Sequence, residues 1–128
     1  MSYGEFLSSV RERGEYAADE AERIVEAVLA TLGERLPEQP AQHLADQLPT
    51  PLDDILEDAA DGPGRSWGVT EFVTHVAERT GEDEDTAEAD ARVVFSALGD
   101  QVTGGELNKL LSQLPSGYAE LFGYPELV

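Results

Sequence analysis

From Ala21 to Leu32 the apolar residues Ala21, Ile24, Val25, Val28, Leu29 and Leu32 recur three and four positions apart. That rhythm is the mark of an amphipathic helix with one face turned to a core. Further along, Ala87, Ala91, Val94, Phe95 and Leu98 trace the same stripe. A helix of about 16 residues is about 24 Å long. The acids Glu82 to Asp85 fall where the second one begins, close to the positive end of its dipole.

Shorter elements flank these two. A first helix is predicted over residues 2–13, ending at Gly14, which suits a left-handed stop. A similar one starts near Thr70, a good N-cap, and runs to Thr80 before Gly81. Thr103-Gly104-Gly105-Glu106 reads as a capping box opening a helix that carries Leu107, Leu110, Leu111 and Leu114. Pro115 lacks a backbone donor and disfavours helix just before it, so the chain turns after Leu114. A short helix follows through Tyr118, Leu121 and Phe122, as one follows Pro49 through Leu52, Ile55 and Leu56.

These correspondences have a single register. With an offset of 66 and no gap, residues 5–57 lie over residues 71–123. EFLSSVRER falls on EFVTHVAER, Leu32-Gly33 on Leu98-Gly99, and Gln47-Leu48-Pro49 on Gln113-Leu114-Pro115. About a quarter of the pairs are identical, and the pattern implies an internal duplication. The predicted fold is all-α: one compact domain of about eight helices, built from two tandem four-helix repeats with pseudo-two-fold symmetry. Repeat one covers about residues 2–57, a connector 58–68, repeat two about 69–123, and a C-terminal tail 124–128. Gly62, Pro63 and Gly64 make the connector a turn rather than a helix. About 53 residues of amphipathic helix bury little alone, so the repeats should pack their stripes together. Two stacked layers, as in a short solenoid, are the alternative.

The paired EF…V-ER segments, the Ala-rich central helices ending in Leu-Gly and the two Gln-Leu-Pro corners resemble the bacterial family termed domain of unknown function 2267. The likeness runs from about Tyr3 to Phe122. It implies an all-helical fold and supplies no catalytic residues to carry over.

Charge narrows the functional classes. The 128 residues hold 27 acids and 8 bases, a formal net charge of −19. Residues 1–62 carry 15 acids and 4 bases, and residues 63–128 carry 12 and 4. Such a surface repels nucleic-acid phosphates and anionic lipid, so neither is an expected partner. It fits a solvated surface, a nucleic-acid mimic that occupies a basic partner, or adaptation to high salt; Lys109 is the single lysine. No apolar run approaches the roughly 20 residues that cross a bilayer, and the N-terminal residues lack the pattern of a secretory signal. With no cysteine there is no disulfide or thiolate chemistry. A cytoplasmic location is expected.

Residue patterns that carry chemistry are few. His43 and His75 each have an acid three residues on, Asp46 and Glu78, which gives at most two ligands of a metal site. Glu82-Asp83-Glu84-Asp85 lacks the glycine and the later glutamate of a calcium loop. Gly62-Pro63-Gly64-Arg65 matches neither nucleotide fingerprint, and no Gly-x-Ser-x-Gly elbow exists. No cofactor is expected. Arg13 and Arg79 recur, as do Glu22 and Glu88, and are read as ion pairs joining the first helix of each repeat to its second. Asp90 interrupts an apolar stripe where its counterpart is Ile24, so that edge is either exposed or met by an arginine. Gln47 and Gln113 read as corner residues. Trp67, Arg65 and Tyr124 are the candidate interaction residues. The expectation is a non-enzymatic protein-interaction module. The alternative is a small-ligand- or metal-binding protein, or a carboxylate-dependent enzyme, with its site between the repeats. A deep cleft holding Asp90 or both arginines would favour that alternative.

Overall fold

Two proline corners and one glycine-rich connector divide the chain into short helices around two long ones. The computed structural model describes residues 2–60 and 62–123. Its helices are α1 (Tyr3–Gly14), α2 (Ala18–Arg35), α3 (Glu38–Ala45), α4 (Leu52–Ala59), α5 (Val69–Thr80), α6 (Glu84–Gly99), α7 (Gly104–Ser112) and α8 (Gly117–Leu121). The described residues contain no strand. The fold is all-helical and forms one domain, as the apolar periodicity predicts.

Helix α2 is the centre. It packs against α1, α4, α5 and α6, so it is covered from both ends of the chain. Its predicted stripe is buried, and Thr31, Gly33 and Arg35 are buried with it. Gly33 permits the closest approach: a Cβ there would stand 2.6 Å from the Leu56 carbonyl oxygen of α4. Helix α6 packs on α1, α2, α5 and α8. Phe72 of α5 meets Phe95 of α6 at 5.6 Å between ring centroids and the edge of Tyr118 of α8 at 5.5 Å. Phe95 stacks on Phe122 at 4.3 Å. These rings join Phe6 and Val10 of α1 and the α2 stripe in one apolar cluster. Full burial of each such side chain is worth about 1.5–3 kcal/mol relative to exposure.

The helix ends follow local chemistry, with three departures from the expected pattern. Gly14 is not the left-handed residue: Glu15 is, with φ 56°. Gly14 instead leaves room for Tyr16, because a Cβ there would lie 2.2 Å from the ring as it stands. In the second half the left-handed stop falls on Gly81, at φ 76°. Thr70 lies inside α5 rather than capping it; Gly68 stands at the cap, its N–H donating to the Glu71 carboxylate at 3.4 Å. Thr103 does accept from the Glu106 N–H at 3.2 Å. The Glu106 side chain turns away to Gln47 and Lys109, so the reciprocal half of that box is replaced. Both Gln-Leu-Pro corners close with the same bonds: Leu52 N–H to the Pro49 carbonyl at 2.9 Å, and Tyr118 N–H to the Pro115 carbonyl at 3.0 Å.

A residue not singled out by sequence fixes the connector. Arg35, at the end of α2, is buried with no carboxylate against it among its described contacts. Its Nε donates to the Trp67 carbonyl and its Nη1 to the Arg65 carbonyl, both at 2.7 Å. The Arg65 N–H donates back to the Arg35 carbonyl at 3.2 Å. The guanidinium lies 5.6 Å from the Tyr118 ring centre, and the Tyr118 hydroxyl donates to the Trp67 carbonyl at 3.0 Å. Burial pushes the Tyr118 phenol up to about 12, against the opposing pull of Arg35. Gly64, at φ 79°, lets the connector backbone rest against Leu36. Carbonyl dipoles thus replace a counter-ion for a desolvated guanidinium. Arg35→Met keeps much of the volume but strands the Arg65 carbonyl and leaves the Trp67 carbonyl with Tyr118 alone. It should cost about 2–4 kcal/mol in urea unfolding, and a loss below about 0.5 kcal/mol would show that those carbonyls reach water.

Candidate functional site

Helices α3 and α7 lie side by side, one from each half, and a groove opens between them. Its volume is about 410 Å³, within the range of small-molecule sites. Leu44, Leu110, Val102, Pro37 and Pro40 give it an apolar lining, and His43, Gln47, Glu106, Lys109 and Gln113 supply polar groups. Eight of these form pairs 66 positions apart: Pro40 with Glu106, His43 with Lys109, Leu44 with Leu110, and Gln47 with Gln113. Each helix and its corner present them at i, i+3, i+4 and i+7, which is one face. The two QLP corners end these helices and so set where the glutamines stand.

The polar groups are partly engaged with one another. Gln47 Nε2 donates to the His43 carbonyl at 3.2 Å and reaches across the groove to a Glu106 oxygen at 3.4 Å. Lys109 Nζ lies 3.7 Å from the other Glu106 oxygen. The side chains of His43 and Gln113 make no hydrogen bond among the described residues. An apolar floor with donors at its edge can hold an amphipathic molecule. Local corner chemistry accounts for each glutamine, so the signal for this site in the sequence is their pairing with Leu44 and Leu110.

The predicted ion pairs are formed differently. Arg13 bonds to Asp100 and Ser96 of α6, not to Glu22. Arg79 bonds to Glu34 at 2.6 Å and to Thr31 at 2.9 Å, both on α2, not to Glu88. Asp100 and Glu34 are themselves 66 apart. Each arginine therefore reaches the long helix of the opposite half, because α1 lies along α6 and α5 along α2. Glu88 pairs with Arg92 one turn away at 3.5 Å, and Glu22 is exposed.

Asp90 is buried, and no arginine meets it; the Tyr16 hydroxyl donates to it at 2.6 Å. Desolvation raises its pKa, the Tyr16 bond opposes this, and Glu82 and Glu20 add to the rise. The Tyr16 phenol is raised as well, by burial and then by Asp90. Neither Asp90 nor Arg13 nor Arg79 lines the groove. Trp67 is half-buried and stacks on His75 at 3.9 Å, while His75 also meets Glu78 at 3.4 Å. Arg65 is exposed, its backbone held by Arg35. Tyr124 lies outside the described residues.

The acid run serves helix ends. Asp83 accepts from the Thr86 N–H at 2.7 Å, which holds its carboxyl below the ordinary range, and Glu84 accepts from the Thr74 hydroxyl at 2.6 Å. Among the described residues no three His, Asp or Glu side chains converge as a metal site, and no helix is long and apolar enough to cross a membrane.

A family model described as "Uncharacterized conserved protein (DUF2267)" matches residues 3–121. The chain belongs to this family. The matched span includes every described helix, the groove, Asp90 and both crossing arginines. No curated protein matches the chain.

Asp90 yields a test of sign. A carboxyl with a raised native pKa binds its proton more tightly folded than unfolded. Its contribution to stability is thus largest at low pH and falls as pH rises through the native value. Asp90→Asn keeps an acceptor for Tyr16 and removes the charge. It should stabilise the fold near neutral pH by on the order of 1 kcal/mol, with the gain shrinking toward pH 4. Thermal melts across pH check this, and a loss of stability at pH 7 contradicts it.

Proposed function

We propose that this protein acts by binding rather than by catalysis, and that the α3–α7 groove holds what it binds. One observation carries the reading: equivalent leucine and glutamine positions of the two halves, with His43 and Lys109 at a further equivalent pair, line a single opening. The lining mixes apolar floor with hydrogen-bonding edge in the way small-molecule sites do. It favours a ligand site between the halves over a contact through Trp67, whose ring is already stacked on His75 and whose carbonyl is already taken by Arg35 and Tyr118.

The groove's make-up follows from a second part of the proposal, that residues 2–57 and 69–123 are duplicated copies related by an approximate two-fold axis. Support comes from contacts that repeat with the halves exchanged: Arg13 with Asp100 and Arg79 with Glu34, α1 on α6 and α5 on α2. Stacked solenoid layers would not generate such reciprocal crossings. The anionic surface argues against nucleic acid and anionic membrane as partners.

Titrating isotope-labelled protein with a diverse fragment collection, followed by amide chemical shifts, tests the reading. Hits should concentrate their shifts on residues 37–47 and 102–113 and be recovered unchanged. Shifts centred on Trp67 and His75, or conversion of a compound to product, would overturn it.

A further inference from the structure

We infer that the groove's ligand is a small organic acid, with a carboxylate head and an apolar body; this deepens the reading above and rests on it. The chain has one lysine and two histidines. The lysine and one of the histidines, Lys109 and His43, line this one groove, from opposite walls. Elsewhere a net charge of −19 attracts cations over the whole surface and repels anions, so a cationic ligand would need no special place.

The arginines are largely used for structure. Arg13 and Arg79 cross between halves, Arg35 holds the connector, and Arg92 donates to the Glu120 carbonyl at 3.1 Å. Lys109 differs. Its side chain is 76% exposed, and its contact with Glu106 is 3.7 Å, longer than a hydrogen bond. Its three N–H groups remain able to meet an incoming carboxylate. Glu106 is held from the other wall by Gln47, so a carboxylate would meet Lys109 through the N–H groups that Glu106 does not use, with His43 and Gln113 lining the same groove. The amide of Gln113 can donate to the same head. Leu44 and Leu110, at the floor, then cover the ligand's apolar body. No covalent step is involved.

Octanoate and its neutral isostere octanamide are the probes, read by calorimetry and by groove amide shifts on the full chain. Octanoate should bind in the groove about three- to tenfold more tightly than octanamide, the range of an exposed ion pair. Lys109→Met should abolish the difference, and Lys109→Arg should keep it, with melting temperatures unchanged in both. Equal binding of the two probes to the unaltered protein would overturn the acid assignment and leave the groove reading standing. Failure of both probes to shift groove amides would also overturn it, the fragment titration then judging the groove by itself.

Discussion

Each long helix takes part of its cover from the other half of the chain, and the rest of the structure is arranged around that exchange. Helix α2 presents apolar or small side chains on nearly all sides along its second half, and α4 and α1 cover only part of it. The remainder is covered by α5 and α6, which come from the other end of the sequence. Removing that apolar surface from water is the dominant favourable term, and it is available only when both halves are folded together. The proline corners, the connector clamp and the crossing arginines each hold that arrangement in register.

The electrostatics are consistent with this division of labour. Acids spread over the surface cost little because water screens them, and several serve helix N-termini, as Asp83 does for α6. Bases are scarce, and five arginines are committed to joining helices or binding carbonyls. Among the described acids Asp90 is the exception: it is buried, with a tyrosine hydroxyl in place of a counter-ion. A folded chain with this balance has few cationic side chains left to offer a ligand. That the single lysine stands on the rim of the inter-half groove gives the groove its distinct chemistry.

What could be read from sequence was what local physics decides. The apolar stripes of α2 and α6, the corners at Pro49 and Pro115, and the end of α5 at Thr80 before Gly81 depend on neighbours within a turn or two. What could not be read depends on packing between distant segments. Arg13 had a plausible carboxylate at Glu22, yet α1 lies on α6 and brings Asp100 to it. Gly14 looked like a helix stop and proved to be room for the Tyr16 ring. Arg35 gave no periodic signal, because its partners are backbone carbonyls 30 and 32 residues away. The groove was hidden for a related reason: its walls are adjacent only after the halves meet. The matching of Gln47 with Gln113 hinted at equivalence of position, and local corner chemistry explained it sufficiently.

The shared interior is tested most directly by native-state hydrogen exchange in low denaturant. If the halves are one cooperative unit, the slowest amides of α2, α5 and α6 will converge on a single opening free energy, equal to that of global unfolding. Two separate limits, one for α2 and α4 and another for α5 and α6, would mean that each half stands by itself, and would contradict the account.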